Sequence, residues 1–139
     1  MGTMVAFFSH SGVTKRKAEK LAKDLGAELF EIKAKIPYTS ADVNWKDKSS
    51  RNVKEYEDKA SRPEIEDMPD MSSVDVIYIG YPIWWYTHPR IINTFFDQAD
   101  LSGKEVHLFA TSGGTGIDGS VKELRNTYPG VNIVEGKRL

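Results

Sequence analysis

Three short segments carry the residues whose types and spacing invite a ligand. The first is Ser9-His10-Ser11-Gly12-Val13-Thr14, which offers hydroxyls, a glycine and main-chain N–H groups just ahead of a helical pattern. Such a helix start is a natural anion site. Lys15, Arg16 and Lys17 follow, where the helix dipole disfavours positive charge by up to about 1 kcal/mol each, and a bound phosphate would offset that penalty. An ordinary Ser/Thr helix cap with solvated lysines explains the same residues. The spacing is not that of the nucleoside-triphosphate loop, G-x-x-x-x-G-K-[ST], which argues against an ATPase.

The second segment is Tyr81-Pro82-Ile83-Trp84-Trp85-Tyr86. Three consecutive aromatics cannot all enter one core, so at least one is expected at the loop surface. There a flat ligand ring stacked on it would gain ~0.5–1.5 kcal/mol beyond area burial. Alternatively, Trp84 or Trp85 caps the hydrophobic core beneath the loop. The third segment, Thr111-Ser112-Gly113-Gly114-Thr115-Gly116, lets backbone approach a ligand closely and offers N–H and hydroxyl groups to polar ring edges. Its continuation, Gly114-Thr115-Gly116-Ile117-Asp118-Gly119, satisfies G-x-G-x-x-G. That match is set aside, because dinucleotide folds carry the motif in the first strand–helix turn.

Other chemistries are poorly served. The chain has no cysteine, so disulfides, thiol nucleophiles and thiolate metal sites are excluded. His10, His88 and His107 are far apart and lack metal-ligand spacing. No G-x-S-x-G elbow supports a serine hydrolase. Nineteen basic against 20 acidic residues give a formal net charge of −1, leaving no global basic field for nucleic acid or anionic lipid. No apolar run approaches the length of a membrane span. The absence of cysteine and of a signal-peptide pattern makes a cytoplasmic protein the simplest expectation.

The elements that must position these segments alternate between β-rich runs and helical periods. Met4–Phe8, Leu29–Ile32, Val74–Ile79, Glu105–Ala110 and Val131–Val134 read as strands. Helical faces recur at Ala18, Leu21, Ala22 and Leu25 (stopped by Gly26), at Ile92, Phe95, Phe96 and Ala99, and at Val121, Leu124 and Tyr128. A weaker stripe, Val53, Tyr56 and Ala60, lies between Asp42 and Ala60. Glu64, Glu66, Asp67, Asp70 and Asp75 read as a solvated acidic loop. A chain of 139 residues is the size of one domain. That domain is expected over 4–139, with Met1-Gly2-Thr3 ahead of it.

Five strands alternating with helices imply an α/β fold, a parallel sheet covered on both faces. Right-handed crossovers then bring all strand-to-helix loops to one sheet edge, where ligands of such folds bind. One segment suits phosphate, one an aromatic plane and one polar ring atoms: together they describe a mononucleotide with a flat ring system.

The segments Phe8-Ser-His-Ser-Gly-Val-Thr-Lys15, Gly80-Tyr-Pro-Ile-Trp-Trp85 and Thr111-Ser-Gly-Gly-Thr-Gly116, with the ending Glu135-Gly-Lys-Arg-Leu139, resemble the short-chain branch of the flavodoxin family from Met4 to Leu139. The resemblance implies a flavodoxin-like three-layer sandwich with strand order 2-1-3-4-5 and non-covalently bound FMN. It implies a phosphate loop of Ser9, His10, Ser11, Gly12, Val13 and Thr14. Pro82, Ile83, Trp84, Trp85 and Tyr86 would flank the flavin ring, with Trp84 or Trp85 stacked on it. Thr111, Ser112, Gly113, Gly114 and Gly116 would hold the ring's polar edge. Tyr38 and Trp45 either rim the cofactor or cover core. Two departures stand out: Val13 occupies the place where the family's phosphate loop usually has asparagine, and the chain is nearly neutral where electron carriers of the family are commonly acidic.

The expected function is that of an electron carrier cycling its flavin among oxidised, one-electron-reduced and two-electron-reduced forms. The alternative is an NAD(P)H-dependent flavoenzyme reducing quinones or similar acceptors. Redox partner proteins or small-molecule acceptors are the expected partners, with neither nucleic acid nor membrane among them. A phosphoacceptor receiver domain is disfavoured, because Ser9, Ser11, Tyr81 and Pro82 stand where that chemistry needs acidic residues.

Overall fold

The computed structural model describes residues 2–10, 12–39, 50–58, 60–84, 87–111 and 116–139. Its elements run β1 (Gly2–Phe7), α1 (Val13–Leu25), β2 (Glu28–Glu31), α2 (Arg51–Glu57), β3 (Val74–Pro82), α3 (Arg90–Gln98), β4 (Glu105–Thr111), α4 (Asp118–Thr127) and β5 (Asn132–Arg138). The strands form one parallel sheet in the order β2-β1-β3-β4-β5, the order the resemblance implies.

Alternation along the strands divides the apolar residues between two faces. Met4, Ala6 and Phe8, Ile77, Ile79 and Tyr81, and Val106, Leu108 and Ala110 join the larger core together with Ile91, Ile92, Phe95 and Phe96 of α3 and Val121 and Leu124 of α4. Val5, Phe7 and Phe109 face the other way, onto Ala18 and Ala22 of α1. The small alanines let α1 lie close to the strands. Gly26 closes α1 in the left-handed region (φ 63°), with the Ala27 N–H bonded to the Ala22 carbonyl at 2.9 Å. That geometry favours glycine.

Several boundaries differ from the sequence expectation. β1 starts at Gly2, before Met4. β3 runs on to Pro82 because Tyr81 and Pro82 still pair with Ala110 and Thr111, and a strand end tolerates a residue without an N–H. β5 reaches Arg138, although its second half is polar, because pairing continues past a register shift to match Ala110 with Arg138. The stripe between Asp42 and Ala60 is helical only over Arg51–Glu57 among the described residues. Ala60 lies beyond it, and its N–H is taken by the Asp58 carboxylate at 3.0 Å, a local turn that competes with the helix. The acidic stretch is exposed at Glu64, Glu66, Asp67, Asp70 and Asp75. Ile65 within it is buried, its backbone bridged to Ala34.

Candidate functional site

The carboxyl ends of β1, β3 and β4 converge, as parallel pairing requires. The Phe8 N–H donates to the Gly80 carbonyl at 2.9 Å, and the Ile83 N–H donates to the Thr111 carbonyl at 2.9 Å. The three segments therefore leave the sheet side by side.

In the first segment, Gly12 occupies the N-cap of α1 with φ 92° and ψ −8°. No atom lies within 4 Å of where a Cβ would stand, so glycine is favoured here by backbone conformation alone. The Gly12 N–H donates to Ser9 Oγ at 3.1 Å, which leaves the Ser9 proton able to donate elsewhere. Among the described residues no side chain caps α1, and its first turn holds no acidic residue. The first N–H groups of a helix have no intrahelical partner, and Lys15, Arg16 and Lys17 stand exposed around them. Anion-seeking N–H groups, a positive dipole end and cationic side chains thus coincide. Val13 is the first helical residue and is 41% exposed, so its side chain adds no polar group. Thr14 points inward, and its Oγ1 lies 2.7 Å from Thr111 Oγ1 in a buried hydrogen bond. This bond joins the first segment to the third.

In the second segment, Tyr81 belongs to β3 and is fully buried, while Pro82 and Ile83 are half-buried. Trp84 is half-buried too and packs against the larger core. Its ring meets Phe8 at 5.6 Å and Tyr38 at 5.2 Å, both edge-on, and the exposed His10 at 6.3 Å. Trp84 and Thr87 exchange backbone hydrogen bonds of 2.9 and 3.3 Å. Thr111 ends β4 and is buried, and Gly116 is exposed with open space where a Cβ would stand. Ser11, Trp45, Trp85, Tyr86, Ser112, Gly113 and Gly114 lie outside the described residues. Tyr38 packs on Phe8 and Trp84 and lines a cavity with Ser9 and His10, an arrangement that fits both of its readings.

Beside this edge runs a buried polar network that sequence reasoning missed. His88 Nε2 lies 2.8 Å from Asn93 Oδ1, and Nδ1 lies 2.9 Å from Ser120 Oγ, itself 2.8 Å from the Tyr81 hydroxyl. Burial, the largest influence, pushes His88 down to about 4. The neutral ring then donates from Nε2 to Asn93 and accepts at Nδ1 from Ser120. Burial likewise pushes the Tyr81 hydroxyl up, so it stays protonated and acts as a donor. Thr87 Oγ1 donates to Glu123 Oε2 at 2.8 Å, and Arg90 Nη1 donates to Glu123 Oε1 at 2.8 Å. The only hint in the sequence was a histidine and an arginine abutting an apolar helix.

Among the described residues no group of three or more His, Cys, Asp or Glu side chains is arranged to hold a metal ion. None of their helices is long and apolar enough to cross a membrane.

A five-stranded parallel sheet in the order β2-β1-β3-β4-β5, with its strand-to-helix loops at the carboxyl edge, places the chain in the class of flavodoxin-like doubly wound α/β folds. A family model described as flavodoxin matches residues 2–139, and the chain belongs to that family. It is 47% identical to a candidate flavoprotein of Bacteroides eggerthii DSM 20697, whose crystal structure matches with a TM-score of 0.98 over 99% of this chain and 87% of that one. It is 29% identical to a flavoprotein of Lactobacillus acidophilus NCFM crystallised in complex with FMN, with a TM-score of 0.82 over 99% of this chain and 92% of that one. The FMN-dependent NADH:quinone oxidoreductase 4 of Bacillus anthracis is 27% identical over 112 residues, which make up 78% of this chain and 53% of that protein. The chain spans about half the length of the curated relatives it matches.

Proposed function

We propose that the chain binds FMN non-covalently and serves as an electron-transfer flavoprotein. The observation that carries this reading is the start of α1: uncapped, free of acid in its first turn, entered through a left-handed Gly12 and hydrogen-bonded through Thr14 to the end of β4. Ser9, His10, Ser11, Gly12, Val13 and Thr14 would receive the phosphate, chiefly through N–H groups and hydroxyls. Pro82, Ile83, Trp84, Trp85 and Tyr86 would flank the ring, and Thr111, Ser112, Gly113, Gly114 and Gly116 would meet its polar edge. The bound flavin supplies the one- and two-electron chemistry, while the protein binds, orients and desolvates it. The aromatic surface of Trp84, Tyr38 and Phe8 excludes water from one side of the site, and low polarity there disfavours negative charge on a reduced ring. No side chain is required as an acid or base. Protein incubated with excess FMN and then desalted should keep a flavin absorbance band in one-to-one ratio. A colourless product would overturn the reading.

A second reading, an NAD(P)H-dependent reductase of quinones or similar acceptors, is favoured by the similarity to FMN-dependent NADH:quinone oxidoreductases and by the net charge of −1. A strongly acidic surface would have favoured steering toward a basic protein partner. Stopped-flow mixing of the FMN-loaded protein with NADH and NADPH separates the two. For a carrier the flavin band persists for many seconds, and rapid bleaching contradicts the carrier.

A further inference from the structure

Arg90 sits where neither helix electrostatics nor solvation favours a cation. It is the first residue of α3, at the positive end of that helix, and is 3% exposed. A buried guanidinium costs several kcal/mol unless its donors are matched, and here they are matched by acceptors from two other elements. Nη1 donates to Glu123 Oε1 of α4 at 2.8 Å, Nη2 to the Tyr56 carbonyl at 2.9 Å and Nε to the Glu55 carbonyl at 3.2 Å, both in α2.

Two of these partners, Glu55 and Glu123, lead back to Trp84. Glu55 accepts hydrogen bonds from the Tyr38 hydroxyl and, at 2.9 Å, from Arg51 Nε, while the Arg51 guanidinium lies 3.8 Å over the Tyr38 ring. Tyr38 in turn packs edge-on against Trp84 at 5.2 Å. On the other side, Glu123 accepts from Thr87 Oγ1 at 2.8 Å, and Thr87 is paired through its backbone to Trp84. The contacts close a ring: Trp84, Tyr38, Glu55, Arg90, Glu123, Thr87 and back to Trp84. The gap that remains among Glu55, Tyr56, Trp84, His88, Pro89 and Arg90 is only about 10 Å³, barely room for one water.

We propose that Arg90 is a positioning residue: by tying α2 to α4 it holds the Trp84 indole through Tyr38 and the Trp84 backbone through Thr87, and so sets the shape and polarity of the flavin seat. The inference rests on the FMN reading and adds to it a residue that does not touch the cofactor.

The test is a double-mutant cycle read by FMN binding and by the flavin reduction potential. Arg90→Met should weaken FMN binding roughly tenfold with Trp84 present and by less than about twofold in a Trp84→Leu background, because coupled residues are not additive. The shift in potential should vanish in the same background. Arg90→Lys should fall between wild type and Arg90→Met. Thr87→Val, which buries no new charge, should reproduce the pattern at smaller size, and it decides the matter if Arg90→Met does not fold. Equal losses in both backgrounds, or an unshifted potential, would overturn the inference while leaving the FMN reading standing. Failure of the wild-type protein to bind FMN would overturn both.

Discussion

His88 shows how little of a residue's role its type reveals. Read along the chain, it is a histidine without metal-ligand neighbours. In the fold it is the midpoint of a buried relay from Tyr81 through Ser120 to Asn93. Its partners come from β3, α3 and α4, which only the closed sheet brings together. Arg90 was equally hidden, since its acceptors lie more than thirty residues away in sequence. Gly12 was legible by contrast, because a glycine between a strand and a helix needs only local reasoning.

The same histidine makes stability depend on pH. Burial is the dominant influence, the charges of Arg90 and Arg62 act in the same direction, and Glu123 and the Asn93 hydrogen bond oppose them. The net result is a folded value of about 4 against 6.5 in the open chain. Between those values the unfolded chain binds a proton that the folded protein does not, so this contribution to stability is complete above pH 6.5 and shrinks as pH falls toward 4. For Glu123, burial alone would raise the carboxyl, but hydrogen bonds from Arg90 and Thr87 and the charges of His88 and Arg90 hold it below its usual range. Its contribution is lost at still lower pH. Urea midpoints measured from pH 7 to pH 4 should therefore decline, and His88→Gln should flatten the decline. An unchanged slope in that variant would refute the assignment.

At the scale of elements, the strands and the α1, α3 and α4 helices were readable because buried strands are apolar and amphipathic helices keep their period. What escaped was the polar half of β5, whose pairing comes from β4 rather than from its own side chains. The extension of β3 into the aromatic segment escaped for the same reason. The pairing of β3 with β4 also contains a close approach that no pattern announces. A Cβ on Gly80 would stand 2.1 Å from the Phe109 ring, which packs there with Val5, Phe7 and α1. Gly80→Ala should thus cost about 1–3 kcal/mol through overpacking. Phe109→Leu in the same chain should recover part of that loss in a denaturant titration, whereas additive losses would contradict the packing account.

For the molecule as a whole, a net charge of −1 hides an uneven distribution. Lys15, Arg16, Lys17, Lys20 and Lys23 stand exposed along α1, and the exposed acids of the 64–75 stretch lie elsewhere. The three candidate segments stand out by residue type alone. Their convergence followed from topology, which the strand order and the Thr14–Thr111 bond bear out.

The central claim is that the start of α1 receives the phosphate of a flavin mononucleotide. It is tested most directly by titrating the apoprotein into FMN and, separately, into riboflavin, following the quenching of flavin fluorescence. Charge-assisted hydrogen bonds contribute about 1.5–3 kcal/mol each, so FMN should saturate at one per chain and bind at least roughly tenfold more tightly than riboflavin. Equal affinities for the two would contradict the phosphate seat at α1, and unquenched FMN would contradict the flavin site altogether.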